Sequence, residues 1–268
     1  MARTVPPPAS RPSSPENAED DLAARPWQYP GVPAEGTGVL LGDRFMRLPG
    51  SPGDALDELL QAARVAPVAQ RTLVLAVGSN ASPGVMRRKF AALGVAPVVP
   101  FLAVEVEGFA VGHSAHVSRP GFIAATGFRC PGTTTSTFAS LLDDDQLACL
   151  DATEPNYLRR TLTRAELPVT LAGGTRPEQV SLYDSRWGVL GDATPEPLLP
   201  QEERYAWLAT HCPPWRRLVP PEADLRATMI RLASDETLRE AVRDAWAAKG
   251  WSHPSGLASP TSPGHPES

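Results

Sequence analysis

Two short segments, well separated along the chain, carry the residue types that could do chemistry. The first is LVLAVGSN, Leu73 to Asn80, which runs into ASPGVMRRKF. The second is LDATEPNY, Leu150 to Tyr157. In the first, a buried-type strand ends at Gly78 and Ser79, and Asn80 stands two residues before a helix start. Backbone N–H groups converge at such a turn, and a helix N-terminus adds favourable potential for an anion. Gly78 permits a tight bend or a close backbone approach. The plain alternative is a turn followed by a helix cap. In the second segment Leu147, Leu150 and Glu154 fall at i, i+3 and i+7, on one helical face, and Pro155 stops the helix. A carboxylate there sits on a core-facing edge at the negative end of the helix dipole. Both features disfavour its charge, which suits a general acid or base. The plain alternative is an exposed glutamate at a frayed end. Asp151 reads as a cap or a salt-bridge partner.

Other candidates offer less. His113 and His116 in GHSAH are three apart, but no cysteine or carboxylate completes a ligand set, so they read as turn or surface histidines. The three cysteines, Cys130, Cys149 and Cys212, form neither a disulfide framework nor a metal spacing. Cys149 has no histidine at recognisable spacing and reads as a structural thiol. Neither GFRCPG nor GVLLGD is a phosphate loop. Trp207 and Trp215 are expected to pack a helical annex against the body.

These residues must be positioned by the elements around them. Asp54 to Val65 places Leu56, Leu59, Leu60 and Ala63 at helical spacing. Residues 71–77 form a strand with a continuous apolar run. Ser82 is a good N-cap, Pro83 fits the first helical position, and Met86, Phe90 and Leu93 share a face, with Arg87, Arg88 and Lys89 off it. Gly94 ends that helix. From Val95 to Phe128 the pattern is of strands, with a turn at Ser118-Arg119-Pro120-Gly121 and a weaker strand at 134–139. A helix over 143–154 follows, then strands at 157–166 and 179–190, then helices at 200–210, 222–232 and 235–248.

The chain has 268 residues, 30 of them Pro and 21 Gly, and a net charge of −5. The Pro/Ser-rich ends, 1–36 and 252–268, bury too little to offset their ordering entropy and are expected to be disordered. The expected organisation is a disordered N-terminal tail (1–36), an extension with one helix (37–70), a central α+β domain (71–190), a helical C-terminal annex (191–251) and a disordered tail (252–268). The charge disfavours non-specific nucleic-acid binding. No stretch approaches the roughly 18 apolar residues of a membrane helix, and the N-terminus lacks the apolar block of a signal peptide, so a cytoplasmic setting is expected.

The two motifs in this order resemble the gamma-glutamylcyclotransferase-like superfamily. Its first motif, a strand ending in Tyr-Gly-Ser-Asn before a helix, stands here as Val77, Gly78, Ser79 and Asn80. Its second, Asp-x-x-Glu at a helix end, often followed by Gly and an aromatic, stands as Asp151 to Glu154, then Pro155, Asn156 and Tyr157. The likeness spans residues 71–190. It implies a small, mixed but mainly antiparallel β-barrel, closed or nearly closed, flanked by helices. It also implies an enzyme that cleaves a γ-glutamyl amide and releases 5-oxoproline, with Glu154 as general acid/base and Val77, Gly78, Ser79, Asn80 and Tyr157 around the substrate. No cofactor or metal is needed, because the nucleophile is tethered within the substrate. The implied partner is a small metabolite bearing both a carboxylate and an amine, with neither nucleic acid nor membrane. Val77 in place of Tyr removes a hydroxyl and makes one side of the pocket more apolar, which favours a leaving group less polar than a peptide. The alternative is a non-catalytic module on the same fold that binds a small ligand or a protein.

Overall fold

The computed structural model describes residues 21–48, 53–219, 221 and 224–257. In chain order the strands and helices are β1 (Gly38–Leu41), β2 (Arg44–Arg47), α1 (Gly53–Ala62), β3 (Thr72–Ala76), α2 (Pro83–Ala92), β4 (Val98–Val117), β5 (Ile123–Leu142), α3 (Asp144–Thr153), β6 (Tyr157–Thr163), β7 (Val169–Leu171), β8 (Gln179–Ser185), β9 (Val189–Leu190), α4 (Gln201–His211), α5 (Pro213–Leu218), α6 (Leu225–Ser234), α7 (Glu236–Ala248) and β10 (Ser252–His253).

The fold is built on one long hairpin. β4 and β5 are 20 residues each and pair antiparallel from Phe101↔Ser140 to Val117↔Ile123, with register shifts at Glu107/Phe109 and His113/Val117. β3 pairs with the far end of β5, from Thr72↔Leu142 to Ala76↔Phe138. β8 runs parallel to β3, and β6 antiparallel to β8. The other edge of β4 is shared by three short strands, β1, β7 and β9, and β10 extends β9.

The mixed, mainly antiparallel sheet with flanking helices agrees with expectation, but the expected closed barrel is overturned. Among the described residues β6 pairs only with β8, and no ladder joins it to β7 or to any other strand on the β4 edge. The local cause is a turn. The Glu166 carboxylate accepts the Thr163 N–H, and the Leu167 N–H bonds back to the Thr163 carbonyl. The chain thus leaves β6 before reaching β7, and a three-residue β7 offers little edge to pair with.

Both ends are ordered further than the composition suggests. Residues 21–36, expected within a structureless tail, bury Leu22, Tyr29 and Ala34. Ser252 and His253 pair with β9, and Leu257 is buried. Residues 1–20 and 258–268 lie outside the described residues.

Two helices position the candidate site. Ser82 Oγ accepts the Val85 N–H at the start of α2, with Pro83 in its first turn, and Met86 and Phe90 are fully buried. Each burial of that size contributes about 1.5–3 kcal/mol. Leu93, expected on the same face, is instead the exposed C-cap. α3 begins with a capping box, in which Asp143 accepts the Gln146 N–H and Gln146 accepts the Asp143 N–H. Arg71, just before β3, is buried and donates to the Leu141 carbonyl and to Gln146 Oε1, and pairs with Asp143 at 3.3 Å. It thereby fastens the start of α3 to the sheet. Met86, Phe90, Leu142, Leu147, Leu150 and Tyr183 form one packed cluster between α2, α3 and the sheet. A separate cluster joins the turn end of the β4–β5 hairpin to α4–α7 through Trp215, Trp246 and Trp251.

That second cluster explains the histidines. With helices over one face and sheet around the other, β4 is buried without a break from His113 to Val117, so GHSAH is strand rather than turn. His113 bonds the Ile123 carbonyl through Nδ1 and accepts the Leu199 N–H at Nε2, both at 3.1 Å. This arrangement requires the neutral ring. Burial pushes His113 down to about 3, and burial with the nearby Arg243 pushes His116 to about 4. The sign is fixed: below the ordinary value of 6.5 the unfolded chain takes up protons that the folded chain refuses. Stability from these two groups is complete above pH 6.5 and is lost as pH falls toward about 4 and then about 3. Urea unfolding at pH 7 and pH 5.5 is expected to show a loss of about 2 kcal/mol.

Candidate functional site

The end of β3 leads through Val77 into a short 3-10 turn, Gly78–Ala81, and then into α2. Gly78 has φ +60°, a conformation that side chains rarely tolerate. A Cβ there would collide with Tyr29 Oη and meet Ala125 Cβ at 2.8 Å. The glycine is required both by the bend and by the close approach of a tyrosine from the N-terminal segment. Asn80 is buried in the same turn.

Glu154 is the C-cap of α3, and Leu147 and Leu150 on its face are buried as the spacing predicts. Its carboxylate reaches the turn. Glu154 Oε1 accepts from Asn80 Nδ2 at 3.2 Å and from Lys89 Nζ at 2.6 Å. Lys89 Nζ also donates to Asn80 Oδ1 at 2.8 Å. The three side chains close a triangle, and both contacts to the glutamate fall on one oxygen. Oε2 has no partner among the described residues. The Lys89 and Glu154 side chains are 18% and 13% exposed, so this pair is shielded from water far more than a surface bridge.

Lys89 was not foreseen in this role. The spacing of Met86 and Phe90 puts it off the buried face, yet α3 lies against that flank, where Cys149 Sγ donates to the Lys89 carbonyl at 3.7 Å. Burial pushes the Cys149 thiol up, away from the thiolate a nucleophile would need. Asp151 is a salt-bridge partner, bonded to Arg159 at 2.9 Å and to Tyr183 Oη at 2.7 Å.

Breaking the shielded pair leaves a carboxylate without its cation. Lys89→Met is therefore expected to lower unfolding stability by about 1–3 kcal/mol. Urea titration checks this, and a change below about 0.5 kcal/mol would place the pair among weak surface bridges.

The triangle opens onto a cavity of about 1040 Å³, whose lining includes Val77, Ser79, Asn80, Lys89, Glu154 and Tyr157. Gly78 lies beneath that lining. The Tyr157 hydroxyl donates to the Ala125 carbonyl at 2.8 Å, so its proton is already committed to the protein. Tyr29 also lines the cavity and stacks on Phe122 with ring centroids 4.2 Å apart. Asn156 is turned elsewhere, accepting from Trp187 Nε1 at 3.0 Å. His116 reaches the cavity wall with Nδ1 on Ser114 Oγ at 2.6 Å. No group of three or more His, Cys, Asp or Glu residues that could hold a metal ion occurs among the described residues. No helix among them is long and apolar enough to cross a membrane.

No family model matches the chain, and no curated protein matches it. Among solved structures, the chain is similar to an uncharacterized protein from Homo sapiens at 19% identity and TM-score 0.34, over 43% of this chain and 67% of that one. It is similar to a gamma-glutamyl cyclotransferase at 18% identity and TM-score 0.33, over 43% of this chain and 66% of that one. A protein from Arabidopsis thaliana, known from a solution structure, is similar at 18% identity and TM-score 0.36, over 57% of this chain and 96% of that one. These likenesses are distant and partial, and too low in TM-score to carry an argument.

Proposed function

We propose that the chain is an enzyme that cleaves a γ-glutamyl amide by internal cyclisation, releasing 5-oxoproline and an amine. The observation that carries this reading is the Glu154 carboxylate, held through Oε1 by Asn80 and Lys89 on a cavity large enough for a small metabolite. With Oε1 occupied, Oε2 is the oxygen available to a substrate proton. A base must lie within hydrogen-bond reach of the proton it takes, and a fixed carboxylate meets that condition at little entropic cost.

In the proposed reaction Glu154 takes a proton from the α-amine of the γ-glutamyl group. The amine nitrogen attacks the γ-carbonyl carbon, and a C–N bond closes the five-membered lactam. The C–N bond to the leaving amine then breaks, and Glu154 returns the proton to that nitrogen. Lys89 keeps the carboxylate oriented throughout. Incubation with a panel of γ-glutamyl peptides and amines, followed by mass spectrometry for 5-oxoproline, tests the reading. Turnover by the wild type that is absent from Glu154→Gln supports it. Binding without turnover across the panel would replace it with a non-catalytic ligand-binding module.

A further inference from the structure

The backbone N–H groups of the Gly78–Ala81 turn were the expected anion donors, but the N-terminal segment brings a tyrosine hydroxyl against that turn. Tyr29 Oη accepts the Ala125 N–H at 2.6 Å and sits directly over Gly78. A phenol oxygen has two lone pairs and one proton. One lone pair is engaged by the Ala125 N–H, and no acceptor for the phenol proton occurs among the described residues. The oxygen cannot move away from its seat. The ring is clamped on Phe122 at an interplanar angle of 19°, and Gly78, with no Cβ, leaves space for Oη alone. The same ring lines the cavity beside Ser79, Asn80 and Glu154.

We propose that Tyr29 is a ligand-binding residue of this site, whose hydroxyl donates to a carboxylate oxygen of the ligand, so that the Ala125 N–H acts on the ligand through it. This rests on the reading of the cavity as a γ-glutamyl site. The chemistry favours an anion. The N–H donor on the phenol oxygen draws electron density from it and makes its proton a stronger donor, as chains of hydrogen bonds do. Burial keeps the phenol protonated at neutral pH, so a donor is always present. Of the cations that line the cavity, Arg87, Arg88, Lys89 and Arg119, Lys89 is already held by Glu154 and Asn80. Tyr29 thus supplies from a distant segment a hydroxyl that Val77 lacks.

The test compares the full-length wild type with Tyr29→Phe, which keeps the ring and its stacking and removes only the hydroxyl. L-Glutamate is the probe, titrated by calorimetry. A hydrogen bond to a charged group predicts binding weaker by about 10- to 100-fold in Tyr29→Phe. On any panel member that turns over, KM should rise more than kcat falls, because the contact is made equally in ground and transition states. A merely structural hydroxyl would leave glutamate affinity unchanged in whatever fraction folds.

Should Tyr29→Phe fail to fold, wild-type protein labelled at tyrosine Cζ takes its place. The chain has four tyrosines. Phe variants of Tyr157, Tyr183 and Tyr205 assign three resonances and leave Tyr29 by elimination, and glutamate must shift that one. No glutamate binding to the wild type, equal affinity of both proteins, or an unmoved Tyr29 resonance overturns the proposal. Tyr29-dependent glutamate binding with no turnover across the panel upholds it and removes the enzymatic reading. Turnover with an unaltered KM in Tyr29→Phe does the reverse.

Discussion

Glu154→Gln is expected to keep the fold and to lower the rate of 5-oxoproline formation by about 10²- to 10⁴-fold, the usual worth of a positioned general acid/base. The substitution preserves shape, and the Gln carbonyl oxygen can still accept from Lys89 and Asn80 at the places Oε1 now holds. What disappears is the second oxygen as a proton acceptor, together with the negative charge opposite Lys89. A stability loss accompanies the rate loss, because Lys89 then faces a neutral amide. It should stay at about 1 kcal/mol, since one hydrogen bond to the ammonium survives. Turnover by mass spectrometry and unfolding in urea separate the two effects. Near wild-type turnover in a folded Glu154→Gln protein would remove Glu154 from the chemistry. A folded variant that still binds L-glutamate but makes no product would confine its role to the proton.

The parts of the site that could be read from sequence are those set by local geometry. Helical spacing put Leu147, Leu150 and Glu154 on one face, and Pro155 fixed where that face ends. Ser82 and Pro83 marked the start of α2 by capping chemistry alone. What escaped depends on which element packs against which. Lys89 flanks the buried Met86–Phe90 stripe, and periodicity assigns a flank to solvent. Here α3 covers it, and a lysine can lay its stem along apolar surface while its ammonium reaches the glutamate. Tyr29 was hidden by the composition of its neighbourhood. That stretch is Pro/Ser-rich, although Trp27 and Tyr29 in PWQYP are a poor match to a segment with nothing to bury. His113 and His116 were missed because alternation fails on a strand covered on both faces, as β4 is under the C-terminal helices. Closure of the sheet was out of reach for a related reason. Whether β6 meets β7 depends on a turn held by Glu166 and on strands of two to four residues along the β4 edge, whose pairing no local pattern specifies.

Gly78→Val is expected to have the largest effect on the folded state of any single change in the turn. Two costs combine. The residue sits at φ +60°, where a β-branched side chain is a steric outlier worth about 1–3 kcal/mol. Its Cβ then enters space held by Tyr29 Oη and by Ala125 Cβ, and the latter belongs to the central hairpin and cannot yield. Relief requires Tyr29 to leave, which strips the Ala125 N–H of its acceptor and opens the Phe122 stack. The sum is about 4 kcal/mol or more, the range reserved for strain and overpacking at a special backbone position. Ser79→Ala, one residue on, should cost about 0.5 kcal/mol or less, because the Ser79 hydroxyl makes no hydrogen bond among the described residues. Urea unfolding of the two variants gives the ordering. A double-mutant cycle with the milder Gly78→Ala separates the two costs. If the phenol oxygen is the atom struck, Gly78→Ala should cost about 1 kcal/mol less in a Tyr29→Phe background than in the wild type, since the nearest obstacle is gone while the φ strain remains. Equal costs in both backgrounds would assign the glycine to the bend alone and detach Tyr29 from the turn it caps.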